Sequence, residues 1–208
     1  MRWSHYPQPI GVFDSGVGGL TVLRALQQQL PHESFLYLGD TARLPYGTKS
    51  AATVTRYARQ CAKILAERGI KMLVVACNTA SALALLQLRQ DFLEIPVVGV
   101  IEPGAAAACE ASIKGHIAVI ATEGTIQHGA YEHAILTLRP QAKVISKSCS
   151  LFVALAEEGW VEGPIVEAVA RAYLQPLFAA KDADLPDCLV LGCTHYPALL
   201  TAIKSAVP

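Results

Sequence analysis

The chain has 208 residues, 52% hydrophobic and 16% charged, and its 17 basic and 17 acidic side chains cancel. That length holds one large domain or two small ones with a real core, and the apolar fraction excludes a disordered chain. A balanced charge without a basic stripe speaks against nucleic acid or another polyanion as partner.

The mean hydropathy is positive, yet the longest apolar runs are broken by Asn78, Thr79 and Ser81, or by Glu102 and Pro103. They fall short of the roughly 20 residues a spanning helix needs, so no membrane association is expected. Residues 1–7 lack the apolar core and small-residue cleavage site of a secretory signal, which predicts a cytoplasmic location and reduced thiols. The six cysteines form no Cys-x-x-Cys and no Cys/His spacing of the structural-zinc kind, so no metal is expected.

In chain order, short β-branched runs bounded by turn residues predict buried parallel strands, and the 3.6-periodic stretches between them predict helices. Residues 10–13 form a strand entering Asp14-Ser15-Gly16-Val17-Gly18-Gly19, followed by a helix over 20–30 and a strand over 35–38. A helix over 53–68 stops at Gly69, and a strand over 72–76 feeds Cys77-Asn78-Thr79 and a helix over about 80–90. A strand over 96–100 follows, and a boundary is expected near Glu102-Pro103-Gly104. The second half begins again with a strand over 117–121, then Thr122-Glu123-Gly124-Thr125 and a helix, and a strand over 143–146. Helices around 151–158 and 164–179 lead to a strand over 188–191.

This alternation predicts an α/β fold. The halves also match each other: Asp14 and Ser15 correspond to Thr122 and Thr125, and the strand ending in Cys77 corresponds to the one ending in Cys193. Two pseudo-symmetric lobes, 1–101 and 102–208, are therefore expected, each a mostly parallel sheet flanked by helices. Ligands bind at the carboxyl ends of such strands, which predicts an active site in the cleft between the lobes.

Cys77 and Cys193 each end a strand ahead of a predicted helix, where unpaired amides and the helix dipole favour a thiolate. Packing alone would explain one strand-end cysteine, but two in matching places, each followed by polar residues, favour a site. Cys61, Cys109, Cys149 and Cys188 lack such company and are read as structural. The turn at Asp14 lacks the third glycine of a dinucleotide loop and opens with a carboxylate that would repel phosphate. It suits either a helix cap or a small carboxylate held by its amides and Ser15, with Asp14 receiving an ammonium group or orienting a thiol. Leu44-Pro45-Tyr46-Gly47 reads as a plain turn. His195 follows Cys193 closely enough to act on that thiol, with Glu157 a candidate for fixing its tautomer, whereas His5, His32, His116, His128 and His133 read as solvated.

Together, Gly11 to Leu20, Pro45-Tyr46-Gly47, Cys77-Asn78-Thr79 and Gly192-Cys193-Thr194-His195-Tyr196-Pro197 resemble glutamate racemases of the aspartate/glutamate racemase family. Gly99 to Gly104 and the Leu-x-Glu-Glu-Gly segment containing Glu157 extend the resemblance over nearly the whole chain. It implies an isomerase without cofactor, supplying D-glutamate for peptidoglycan. Cys77 would serve as base for the D-enantiomer with Asp14 assisting, and Cys193 for the L-enantiomer, assisted by His195 backed by Glu157 or its neighbour Glu158. Substrate contacts would fall on Asp14, Ser15, Pro45, Tyr46, Gly47, Asn78, Thr79, Thr122, Thr194 and His195. Members of the family usually continue past the equivalent of Pro208, so a segment returning to the first lobe is expected to be missing, with lower stability or association, as in a homodimer, the expected consequence. Three other readings compete: a racemase of aspartate, a hydantoin or a malonate on the same fold; a Cys193/His195 hydrolase that would not need Cys77; and a truncated, non-catalytic carboxylate-binding module.

Overall fold

The computed structural model describes residues 8–179 and 185–208; the expectations placed on residues 1–7, His5 among them, lie outside the described residues. The chain divides into two compact units, Met1–Val100 and Ile101–Pro208.

The first unit runs β1 (Ile10–Asp14), α1 (Leu20–Gln29), β2 (Phe35–Gly39), α2 (Ala51–Glu67), β3 (Met72–Val75), α3 (Asn78–Asp91) and β4 (Val97–Gly99). Its sheet has the order β2-β1-β3-β4 with every pairing parallel. β1 is buried at all of its residues because side chains alternate between two covered faces. Ile10 and Val12 pack with Val74 against Val22, Leu23 and Leu26 of α1, while Phe13 and Val75 join Val54, Ala58, Leu65 and Leu88 on the α2 and α3 side. Ser50 accepts the Thr53 amide at 3.3 Å, a hydroxyl cap that starts α2 at Ala51, ahead of the expected residue 53.

The second unit runs α4 (Ile101–Ala111), β5 (His116–Ala121), α5 (Glu123–His128), α6 (Ala130–Leu138), β6 (Lys143–Ser148), α7 (Leu151–Glu157) and α8 (Pro164–Leu174). A 3₁₀ turn over Gln175–Phe178 follows, then β7 (Cys188–Gly192), a 3₁₀ turn over Tyr196–Leu199 and α9 (Leu200–Ser205). The parallel sheet has the order β6-β5-β7. β5 thus occupies the place of β1, and β7 that of β3, so the two strands ending in cysteine hold equivalent positions in their own sheets.

The helix expected over 164–179 ends at Leu174 and continues as the 3₁₀ turn, and two further features depart from the expected elements. Glu102-Pro103-Gly104 lies in the first turns of α4, a helix that was not expected. Proline is tolerated there because first-turn amides have no partner within the helix, and the alanine run behind it favours helix. The single helix expected after Thr122 is split at Gly129, whose φ of 69° ends α5 in the left-handed region that glycine enters freely. Among the described residues no helix is long and apolar enough to cross a membrane.

Candidate functional site

In the first unit the polar residues gather where β1 and β3 end. Asp14 is wholly buried, and its Oδ2 accepts the Gly16 amide at 2.9 Å, bending the chain into the loop ahead of α1. A Cβ on Gly19 would stand 2.4 Å from that of Asp14, so the loop folds back over the carboxylate only because glycine is there. Ala76 donates to the Phe13 carbonyl at 2.8 Å, which extends the β1–β3 pairing and brings Cys77 beside Ser15. The Cys77 thiol donates to Ser15 Oγ at 3.4 Å and accepts the Ala80 amide at 3.5 Å as the cap of α3. Asn78 and Thr79 are buried in the first turn of that helix.

Burial pushes the Cys77 thiol up to about 11, and the negative charge of Asp14 pushes the same way, outweighing the Ser15 and Ala80 donors. This corrects the expectation of a thiolate favoured by the helix start: burial and the Asp14 charge together favour the protonated thiol. Tyr37, which the sequence offered no reason to single out, donates to Gly16 O at 2.7 Å and pins the loop from β2.

In the second unit Ala121 and Gly192, the last residues of β5 and β7, are paired, so Thr122 and Cys193 follow neighbouring strand ends. Thr122 and Thr125 share a hydroxyl hydrogen bond of 3.1 Å and are both buried. Cys193 Sγ lies 3.7 Å from His195 Nδ1, and His195 Nε2 lies 2.5 Å from Glu157 Oε1. Glu157 is therefore the carboxylate that meets His195, while Glu158 is the residue that caps the end of α7. Cys193 leads into a 3₁₀ turn over Tyr196–Leu199 rather than directly into an α-helix. Tyr131, also missed in the sequence, lines this strand end: a Cβ on Gly192 would come 3.0 Å from its ring.

Of the other sequence readings, Pro45 is exposed whereas Tyr46 and Gly47 are buried, so the turn is more than a surface connection. Cys61 and Cys149 are core residues, and Cys109 and Cys188 are half-buried. His32, His128 and His133 are exposed, but His116 is half-buried at the start of β5, with Nδ1 enclosed and without a hydrogen-bond partner among the described residues. Its place as a strand residue, rather than as part of the polar segment before it, accounts for that difference. Among the described residues no group of His, Cys, Asp and Glu is arranged to hold a metal ion.

Cys61 and Cys77 are pushed up to about 11 and Cys149 to about 12, burial being the main cause in each case. A group whose pKa is higher folded than unfolded stabilises fully below the unfolded value, near 9 for a thiol, and loses that contribution as pH rises through the folded value. Thermal melts from neutral pH upward should show a constant Tm to about pH 9 and a progressive fall from there toward pH 12. A Tm that climbs across that interval would contradict the burial of these thiols.

The description Asp/Glu/Hydantoin racemase belongs to the family model that matches residues 10–208. A glutamate racemase of Geobacter metallireducens is 54% identical over 198 residues, covering 95% of this chain and 72% of the relative. Among solved structures, a glutamate racemase isoform from Bacillus anthracis superposes with a TM-score of 0.91 at 43% identity, over 98% of this chain and 75% of that one. The glutamate racemase of Francisella tularensis, crystallised with D-glutamate, gives 0.88 at 43% identity, over 96% and 73%.

Proposed function

The chain belongs to the Asp/Glu/hydantoin racemase family and is an amino-acid racemase, and on that premise we propose that it interconverts L-glutamate and D-glutamate without a cofactor. The observation that carries this reading is the matched pair of strand ends. Each unit closes an equivalent strand with a buried cysteine, and each cysteine has its own polar assistant, Asp14 with Ser15 in one unit and His195 with Glu157 in the other.

Inverting an α-carbon requires one group to take the proton and another to return a proton to the opposite face. Cys77 is the base toward D-glutamate and Cys193 the base toward L-glutamate. In either direction one sulfur starts as thiolate and ends as thiol while the other does the reverse, so the protein finishes each turnover with its proton on the other cysteine. Glu157 accepts the Nε2 proton of His195, which leaves Nδ1 to draw the proton from Cys193 or return it. Asp14 receives the substrate ammonium. Burial is the larger reason that Cys77 favours its proton and the Asp14 charge the second; the cation offsets that second contribution, so substrate arrival itself eases formation of the thiolate.

The carbanion formed at the α-carbon passes charge into the substrate carboxylate, so fixed donors aimed there lower the barrier. Ser15, Asn78, Thr79, Thr122 and Thr194 supply such donors, and the main chain of Pro45, Tyr46 and Gly47 completes the contacts. None of these carries a positive charge that would compete for the thiolate. The product serves peptidoglycan synthesis in the cytoplasm.

The test is deuterium entry at the α-carbon in D₂O, followed by NMR for L-glutamate, D-glutamate and both aspartates. Exchange and inversion of both glutamates, with aspartate at least about tenfold slower, is the expected result, a margin of the size that one methylene in a pocket supplies. Faster exchange of aspartate would reassign the substrate, and silence with all four would defeat the reading.

A further inference from the structure

We infer that Asp40 and Arg43, neither of them a proposed substrate contact, are positioning residues that hold the Tyr46-Gly47 main chain against the end of β1; this rests on the glutamate racemase reading above. Asp40 is the first residue after β2 and is only 8% exposed. Its amide donates to Asp14 O at 3.0 Å, adding one more rung beside the strand end that carries Asp14. Its carboxylate accepts Arg43 Nε at 2.9 Å on Oδ1 and the Tyr46 hydroxyl at 2.5 Å on Oδ2.

A carboxylate this deeply buried needs a fixed counter-charge, and the Arg43 guanidinium is fixed from several directions. It donates to Gln60 Oε1, approaches Cys61 Sγ at 3.5 Å and lies 4.3 Å from the centre of the Tyr57 ring. All three partners belong to α2, so the guanidinium fastens the loop after β2 to that helix. The Tyr46 ring packs in turn against Tyr57 at 5.8 Å and against Phe13, the neighbour of Asp14, at 6.2 Å.

The Tyr46 side chain is thus spent on anchoring: it is 1% exposed and its hydroxyl belongs to Asp40. What it leaves for a substrate is the backbone of the turn, whose placement relative to Asp14 and Ser15 depends on the Arg43–Asp40–Tyr46 chain. Loosening that chain should weaken substrate binding before it affects proton transfer, because neither thiol is touched.

The experiment compares the unaltered protein with Arg43→Ala, Tyr46→Phe and the double variant, measuring kcat and KM in both directions. Arg43→Ala should raise KM about tenfold for both enantiomers, the scale of one lost hydrogen bond to a charged group, with kcat within about twofold. Tyr46→Phe should raise KM as well, and the double variant should raise it by less than the product of the single effects, because both release the same turn. A KM that stays put while kcat falls with the folded fraction would mean mere packing and overturn the inference, as would single effects that multiply in full. If Arg43→Ala does not fold, an unchanged KM in Tyr46→Phe is enough to overturn it. An unaltered protein that exchanges no amino acid sinks the racemase reading and this inference with it, whereas an active protein with unmoved KM in the variants sinks the inference alone.

Discussion

Cys77→Ala and Cys193→Ala should each cut L-to-D and D-to-L interconversion by about 10²–10⁴-fold, the range a positioned acid or base contributes. Both directions should fail in each variant, since every turnover uses one cysteine to remove the proton and the other to supply it. Circular-dichroism polarimetry on each glutamate enantiomer gives the rates, and Cys109→Ala, a half-buried thiol of α4, is the control expected to keep full activity. The measurement also separates mechanisms. In a Cys193/His195 nucleophilic route the Cys77→Ala variant would work normally and an acyl group would be trapped on Cys193. Full activity in either variant therefore refutes two-base catalysis. Both substitutions remove only a sulfur from a nearly closed strand end, so a modest stability loss is expected alongside and should be checked by melting.

The fold was legible because strand and helix alternate with clear punctuation. β1 and β3 are short apolar runs closed by polar turns, and α2 keeps Val54, Ala58, Cys61 and Leu65 on one face. The match between the strand leading to Cys77 and the one leading to Cys193 marks equivalent positions in the two sheets from sequence alone. α4 was hidden because proline and glycine are breakers in most contexts and acceptable only in a first turn. Glu157 was legible through a short motif but not separable from Glu158 in sequence; the last turn of α7 points one of them at His195, a choice fixed by helical phase. Tyr37 and Tyr131 are invisible as site-shaping residues because each meets its partner far away in the chain, as Tyr37 does Gly16; Asp40 and Arg43 lie close to Tyr46 in sequence, but only the fold joins them to Asp14 and to α2. The ionisation of Cys77 is not legible for a related reason: the helix start is visible in the sequence, but the desolvation that overrides it depends on tertiary burial.

Asp14→Asn should change Cys77 in one direction and catalysis in the other. The Asn side chain retains a carbonyl oxygen that can accept the Gly16 amide, so the loop keeps its turn. What disappears is a negative charge close to the sulfur. That charge penalises the thiolate, so its loss must lower the thiol pKa from about 11, though not to the ordinary value, because burial is the larger cause and is untouched. Iodoacetamide labelling across pH, with Cys77 followed by peptide mass spectrometry, should therefore show the ligand-free variant reacting at lower pH than the unaltered protein. Racemisation should nevertheless fall by about 10²-fold or more, since the substrate ammonium has lost its counter-charge and the base loses the activation that ammonium binding brings. A cysteine easier to ionise in a weaker enzyme is the signature of a carboxylate whose task begins when substrate arrives. An unchanged or upward-shifted labelling profile would show that Asp14 does not govern Cys77 at all.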